Sequence, residues 1–131
     1  MRRLAVILAL AAGLSLAVSG SATAMVPGPP FLSAQPNPVH LGDPVTITGR
    51  QWPVIEFCTR RVRLRLESAQ NAVLIGFVRV RDNGRFRRQF TPTAGQIGAG
   101  RWRIVARLRC ESGEDGSANF ITRRAPLRIL P

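Results

Sequence analysis

The sequence offers few residues that could carry out acid–base or nucleophilic chemistry. It contains one histidine, His40, so a serine–histidine mechanism would have to use that residue. No serine lies in the Gly-x-Ser-x-Gly pattern that places a nucleophile on a sharp turn. Asp43 and Asp82 lie in predicted turns, where aspartates cap backbone donors. We therefore expect a protein that is not an enzyme, with no catalytic residue, no cofactor and no metal site.

Arginine is the strongest candidate for binding chemistry. All 19 basic residues are arginines, and they face seven acidic residues, so the formal net charge is +12. A guanidinium binds phosphate or carboxylate through two parallel hydrogen bonds, and a surface this basic attracts polyanions. The anion-binding candidates stand at alternate positions of two segments: Arg61, Arg63, Arg65, Arg103, Arg107 and Arg109.

These arginines have two interpretations. They form either a face that docks an anionic cell-envelope polymer or a basic face that is only solvated. Aromatic residues do not interleave with them along the two segments, although a stacking platform for single-stranded nucleic acid requires such residues. Specific nucleic-acid binding is therefore not predicted.

Two further groups of residues could contact a ligand. Trp52 stands beside a proline in a predicted loop, where it either plugs the structure or stacks against a ligand, whereas Trp102 has the parity of a core residue. Glu111, Glu114 and Asp115 lack the one-residue ligand spacing of a calcium loop. We expect a solvated loop tip there, with weak calcium binding or a salt bridge to an arginine as the alternatives.

The N-terminal 24 residues predict a signal peptide. Arg2 and Arg3 provide a positive start, Leu4 to Val18 are apolar, and Ala22-Thr23-Ala24 fits a small-x-small cleavage site. The apolar stretch of about 15 residues is short for a bilayer-spanning helix. An uncleaved anchor is the alternative. Cleavage of residues 1–24 would leave 107 residues, which suit one secreted domain without a transmembrane segment.

The two cysteines, Cys58 and Cys110, both lie in the predicted mature chain. Since an exported protein meets an oxidising compartment, we expect a disulfide between them. A pair of unbridged buried cysteines is the alternative.

Apolar and charged residues alternate along much of the mature chain, and this period of two predicts strands. The clearest cases are residues 58–67 and 101–110, where the even positions are apolar except Arg60 and the odd positions are mostly arginine. Asp82-Asn83-Gly84 predicts a tight hairpin turn, and Pro36 and Pro38 predict a broken edge strand. The expected organisation is a Pro/Gly-rich lead over 25–31 and an all-β domain of about seven strands over 32–131.

Three ordered motifs carry a family resemblance. They are Pro38-x-x-x-Gly42-Asp43-x-Val45-x-Ile47-x-Gly49, Asp82-x-Gly84-x-Phe86 and Gly100-x-Trp102-x-Ile104-x-Ala106. Together they resemble bacterial secreted immunoglobulin-like domains, which implies a single antiparallel immunoglobulin-like sandwich over roughly residues 32–130. The neocarzinostatin group of secreted sandwiches is a more distant likeness. Its members carry two disulfides and a ligand cleft, whereas this chain has only two cysteines.

The resemblance also implies a strand register. In such a sandwich the third and sixth strands are antiparallel neighbours, so Cys58 and Cys110 would lie opposite each other. Continued along the strands, this register pairs Arg61 with Arg107, Arg65 with Arg103, and Glu67 with Arg101. The predicted function is a secreted binding or structural module with a basic arginine-rich sheet face. A small-ligand carrier of the neocarzinostatin type is the alternative.

Overall fold

The computed structural model describes residues 28–112 and 116–131, and within these ranges the regular elements are all strands. The predicted signal peptide, and Glu114 and Asp115 of the acidic loop, lie outside the described residues. The strands are β1 (Phe31–Gln35), β2 (Val39–His40), β3 (Val45–Arg50), β4 (Cys58–Glu67), β5 (Ala72–Arg79), β6 (Phe86–Phe90), β7 (Gly100–Ser112) and β8 (Ser117–Leu130).

The strands form two sheets. One has three strands in the order β1-β3-β6, and the other has five in the order β2-β8-β7-β4-β5. Neighbouring strands are antiparallel except β2 and β8, which run in the same direction. This arrangement confirms the predicted all-β, immunoglobulin-like sandwich.

The first extended segment changes sheet at its two prolines. β1 pairs with β3 in the small sheet, and after Pro36 and Pro38 the chain continues as β2 beside β8 in the large sheet. Between the prolines, the Asn37 side chain donates to the Pro126 carbonyl (3.1 Å) and accepts from the Arg128 amide (2.9 Å). Proline cannot donate to a ladder, and the predicted break in the strand is confirmed.

The core lies between the sheets and follows the alternation of the sequence. In β4 the even residues Val62, Leu64 and Leu66 are fully buried. In β7 the even positions from Trp102 to Cys110 are also buried. Trp102 donates its indole N–H to the Gly98 carbonyl at 2.8 Å, which satisfies its one polar atom within the core. The prediction of a core position for Trp102 is confirmed.

The Asp82-Asn83-Gly84 turn forms, but its role differs from the predicted hairpin. Gly84 donates to Arg81 (2.9 Å) and has a positive φ of 79°. The strand that leaves the turn, β6, pairs with β3 in the other sheet instead of returning along β5. The turn therefore carries the chain across the sandwich, from β5 in the large sheet to β6 in the small sheet.

The register prediction is right at one end of the pair and wrong along the rest. Cys58 lies opposite Cys110 and is bonded to it, so the predicted disulfide is confirmed. The register shifts between Cys58 and Val62, and Arg63 then faces Arg107, Arg65 faces Val105, and Glu67 faces Arg103. The predicted pairs Arg61–Arg107, Arg65–Arg103 and Glu67–Arg101 do not form. The shift is two residues long, so every side chain keeps its predicted face.

Candidate anion-binding face

The outer surface of the five-stranded sheet collects the predicted arginines. The six candidates alternate with buried core residues on β4 and β7, which are direct neighbours, so their Cβ atoms leave the sheet on the side opposite the core. The register places four more arginines on the same side, on the flanking strands and at one end of β7. We call the whole set the arginine face: Arg61, Arg63, Arg65, Arg79, Arg101, Arg103, Arg107, Arg109, Arg124 and Arg128.

Two arginines occupy directly opposed positions in the middle of this face. Arg63 of β4 and Arg107 of β7 are cross-strand partners. Such a pair is unfavourable by roughly 0.2–1 kcal/mol relative to small neutral residues. The Arg63 Nε atom is also buried without a hydrogen-bond partner among the described residues. Neither feature stabilises the fold.

The arginine stems cover one apolar position of the face. Val105 points outward, yet it is only 6% exposed, and its cross-strand neighbours are Arg65 and Arg124. An outward valine reaches this burial when long neighbouring side chains lie across it. Arginine can do so while its guanidinium stays in water. The stems therefore form an apolar base below the charged groups.

Aromatic residues from the flanking strands lie among these arginines, a contribution that the two arginine-bearing segments do not reveal. The Arg61 guanidinium carbon lies 4.0 Å from the Phe77 ring centroid, and that of Arg107 lies 3.6 Å from the Phe120 centroid. Both rings are partly exposed on the flanking strands β5 and β8. The sequence contains a signal for both rings. Phe77 stands at an odd position of β5, as the outward Arg79 does. Phe120 stands at an even position of β8, whereas the buried Leu127 stands at an odd one, so Phe120 points outward.

The stacked rings fix two guanidiniums at the surface. A cation over an aromatic ring gains about 0.5–1 kcal/mol at exposed sites, and the contact restricts a side chain that otherwise has many rotamers. The guanidinium covers one ring face and keeps its N–H donors in its own plane, free to meet an anion.

Few carboxylates neutralise the arginine face within the described ranges. The one ion pair found there joins Arg65 Nε and Glu67 at 4.0 Å, the outer limit of such a contact. The other described ion pair, Arg60–Asp82, lies at the turn after β5. The face therefore presents a large excess of positive charge, which concentrates anions near it.

The Arg60–Asp82 pair predicts a pH dependence of stability. The hydrogen bond from Arg60, followed by its charge, lowers the pKa of Asp82 below its usual 3.8. A carboxyl whose pKa is lower in the folded protein than in the unfolded chain stabilises the fold above the unfolded pKa. That stabilisation is lost as pH falls through the folded pKa. We expect the Asp82→Asn variant to melt below the wild type at pH 7, and the two melting temperatures to converge on acidification.

Thermal unfolding at a series of pH values from about 7 to 2 measures this effect. The difference should be small and should shrink in high salt, because the Asp82 side chain is 93% exposed and its charge is screened. Arg60→Gln should reproduce the same pH profile. A wild-type advantage that stays constant down to pH 2 would contradict the assignment to this ion pair.

One end of the arginine face is concave. A shallow cleft is lined by Arg101, Arg103 and Arg124, together with Glu67 and the turn that follows it. Three arginines from two strands thus outnumber the one carboxylate there. The cleft extends the arginine face toward the β4–β5 turn, and it can accept an anionic group that projects from a longer chain.

Trp52, the ligand-stacking candidate, is placed in the core. It is 2% exposed, donates its indole N–H to the Phe31 carbonyl (2.9 Å), and packs at a tilt against Phe86 with 5.5 Å between centroids. A cleft lies beside it, and Trp52 lines this cleft together with Pro30, Pro53 and neighbouring loop residues. The buried ring leaves little area on which a ligand could stack. Its burial favours a structural role for Trp52, as a side chain that fills the core.

The remaining candidates are not brought together. His40 is exposed in β2, and its Nδ1 lies 3.1 Å from the backbone oxygen of Pro131. Glu111 lies exposed near the end of β7, beyond Arg109. Within residues 28–112 and 116–131, no three histidine, cysteine or acidic side chains are grouped to hold a metal ion. The same residues include no helix with the length and apolarity needed to cross a membrane.

Comparison with known proteins adds little to this description. No protein-family model matches the chain, and the curated proteins include no match to it. Among solved structures, murine CRIg is similar over 79% of this chain and 100% of its own, with 13% identity and a TM-score of 0.43. A similarity this low says nothing about function, and the fold assignment rests on the strand order given above.

Proposed function

We propose that this protein is a secreted, non-enzymatic binding module whose arginine face docks an anionic polymer of the cell envelope. Residues 1–24 have the pattern of a signal peptide, and the disulfide suits an oxidising compartment. The arginine face supplies the binding chemistry.

The observation that carries the proposal is the uncompensated charge at the centre of the sheet. Arg63 and Arg107 oppose each other, and the buried Arg63 Nε has no partner among the described residues. Polar or neutral residues at these outward positions would serve the sandwich at least as well. An anion bound over this cross-strand pair would accept charge-assisted hydrogen bonds from Arg63 and from the Arg107 guanidinium that lies over Phe120.

The geometry favours a polymer without bases. The arginine stacks on Phe77 and Phe120 occupy a face of each ring, and base stacking would have to compete with them. The outward guanidiniums recognise phosphate or carboxylate groups, whichever backbone carries them. A poly(glycerol phosphate) or an acidic polysaccharide meets this requirement.

The first test is binding of the mature protein to poly(glycerol phosphate) and to heparin over a range of salt concentrations. Affinity should fall steeply as salt rises, because each arginine contact releases bound counterions. An oligonucleotide of thymidines and an abasic oligonucleotide of the same length should bind equally. A strong preference for the thymidine strand would contradict recognition of the backbone alone.

The second test separates the arginine face from net charge. Replacing Arg63, Arg103 and Arg107 with serine should weaken binding at physiological salt by at least about 100-fold, because three charge-assisted contacts are lost. A control with the same charge change replaces three exposed arginines on or next to the three-stranded sheet, away from this face: Arg50, Arg85 and Arg87. The control should lose much less affinity, and circular dichroism should show both variants folded. Equal losses in the two variants would reject the arginine face as the site.

A further inference from the structure

β5 is the last strand of the five-stranded sheet, so one of its sides has no neighbouring strand among residues 28–112 and 116–131. A free edge presents backbone donors and acceptors that another strand can pair with, and proteins protect such edges. This edge is also apolar on its outer face, since Leu74 is 56% exposed and Phe77 is 40% exposed. It would be an effective pairing surface if it were open.

Arg88 closes this edge from the opposite sheet. It lies on β6, the last strand of the three-stranded sheet, and its inward parity directs it across the open side of the sandwich. One terminal nitrogen donates to the Phe77 carbonyl at 3.0 Å and the other to the Ile75 carbonyl at 3.3 Å. A single planar guanidinium thus occupies two acceptors that a pairing strand would use.

The residue between these carbonyls makes the contact possible. Gly76 has a φ of +146°, and a Cβ at this position would stand 2.6 Å from an Arg88 terminal nitrogen. β5 also has a register irregularity here, opposite Leu64 and Arg65. Glycine and an irregular register allow the guanidinium to approach the backbone closely, and both features make the edge a poorer template.

Arg88 is not the residue that core packing alone would favour. Its stem faces the interior opposite the buried Ile47, and its Nε is buried without a hydrogen-bond partner among the described residues. An unsatisfied buried donor costs free energy that an apolar side chain of similar length would avoid. The two hydrogen bonds to the Ile75 and Phe77 carbonyls, which we call the Arg88 clamp, offset this cost.

We propose that Arg88 keeps the β5 edge closed, and that the partner it excludes is β5 of a second copy of this chain. Two β5 strands can meet antiparallel about a twofold axis, because such an interface uses the same surface on both copies. Leu74 and Phe77 of each copy would then join across the new sheet. The inference stands apart from the proposed function, since it concerns the edge and not the anion.

The test measures the oligomeric state of the mature protein by sedimentation. The wild type should be a monomer. Arg88→Met, which keeps an unbranched apolar stem but has no donors, should show an about twofold rise in mass with increasing concentration. The matched control Arg87→Met, one residue along β6 and exposed, should stay monomeric. Adding Leu74→Lys to Arg88→Met should restore the monomer, because a charged side chain protects an edge.

Two results would overturn the proposal: a wild type that already pairs through β5, or a folded Arg88→Met variant that remains monomeric at high concentration. If that variant does not fold, the nitrogen NMR spectrum of the Arg88 guanidinium in the wild type tests the proposal instead. Resolved signals from terminal nitrogens held in place support the clamp, and one averaged signal from a freely rotating group rejects it.

Discussion

Removal of the Cys58–Cys110 disulfide is expected to lower the free energy of unfolding by about 4 kcal/mol, the loop-entropy value for the 52-residue separation of the two cysteines. That loss is a large share of the roughly 5–15 kcal/mol that holds a typical domain. The bridge joins β4 to β7 where the strand register shifts, so its loss should loosen this end of the pair first.

The measurement is denaturant unfolding of the Cys58→Ala, Cys110→Ala double variant beside the oxidised wild type. The wild type in reducing buffer is the control, since the chain contains only these two cysteines and reduction should give nearly the stability of the double variant. A double variant within about 1 kcal/mol of the wild type would show that the sandwich does not depend on the bridge.

Gly49→Ala should be the most damaging small substitution in the three-stranded sheet. Gly49 lies opposite Phe86, and a Cβ on it would stand 2.1 Å from the Phe86 ring. That ring is 2% exposed and packs against Trp52, so it cannot move away freely. Overpacking of a buried site costs about 1–3 kcal/mol, and a contact this short places the loss at the upper end.

Thermal or denaturant unfolding tests this expectation with two comparisons. Gly98→Ala is the matched control, because its Cβ would meet nothing within 4 Å, and its effect should stay within about 0.5 kcal/mol. Adding Phe86→Leu should recover part of the loss in Gly49→Ala, since the two residues share one space. Strictly additive effects would show that the ring does not occupy the position above Gly49.

The faces of the strands could be predicted from the sequence, whereas the register could not. Alternation in β4 and β7 assigns each residue to the core or the outer surface, and those assignments hold. The shift after Cys58 changes which arginines meet, from Arg61–Arg107 to Arg63–Arg107, without moving any side chain to the other face. Since a shift of two residues leaves the hydrophobic pattern unchanged, the pattern carries no information about it.

The destination of β6 could not be predicted from its turn. Asp82-Asn83-Gly84 has the composition of a hairpin turn, but turn chemistry fixes only the local reversal of the chain. β6 joins β3, where the Phe86 ring fits over Gly49. Arg88 shares the parity of the inward Phe86, and a charge at that parity is typical of an edge strand or a bulge; β6 is an edge strand of the small sheet.

The composition of the candidate site was only partly predictable. The six arginines could be placed on one face because β4 and β7 each show the pattern clearly. Phe77 and Phe120 come from β5 and β8, which flank that pair, so their contribution depends on the order of strands in the sheet. Trp52 was ambiguous because a loop position does not reveal whether the strands close over it, and here the ring is buried.

The parallel pairing of β2 with β8 has a mechanical consequence. Val39 lies beside Ile129 and His40 beside Leu130, so the first strand of the large sheet and the last strand of the domain point the same way. Tension applied to the two ends of the domain would slide these strands past each other. Their hydrogen bonds, together with those of Asn37, would then bear the load at the same time instead of opening one after another.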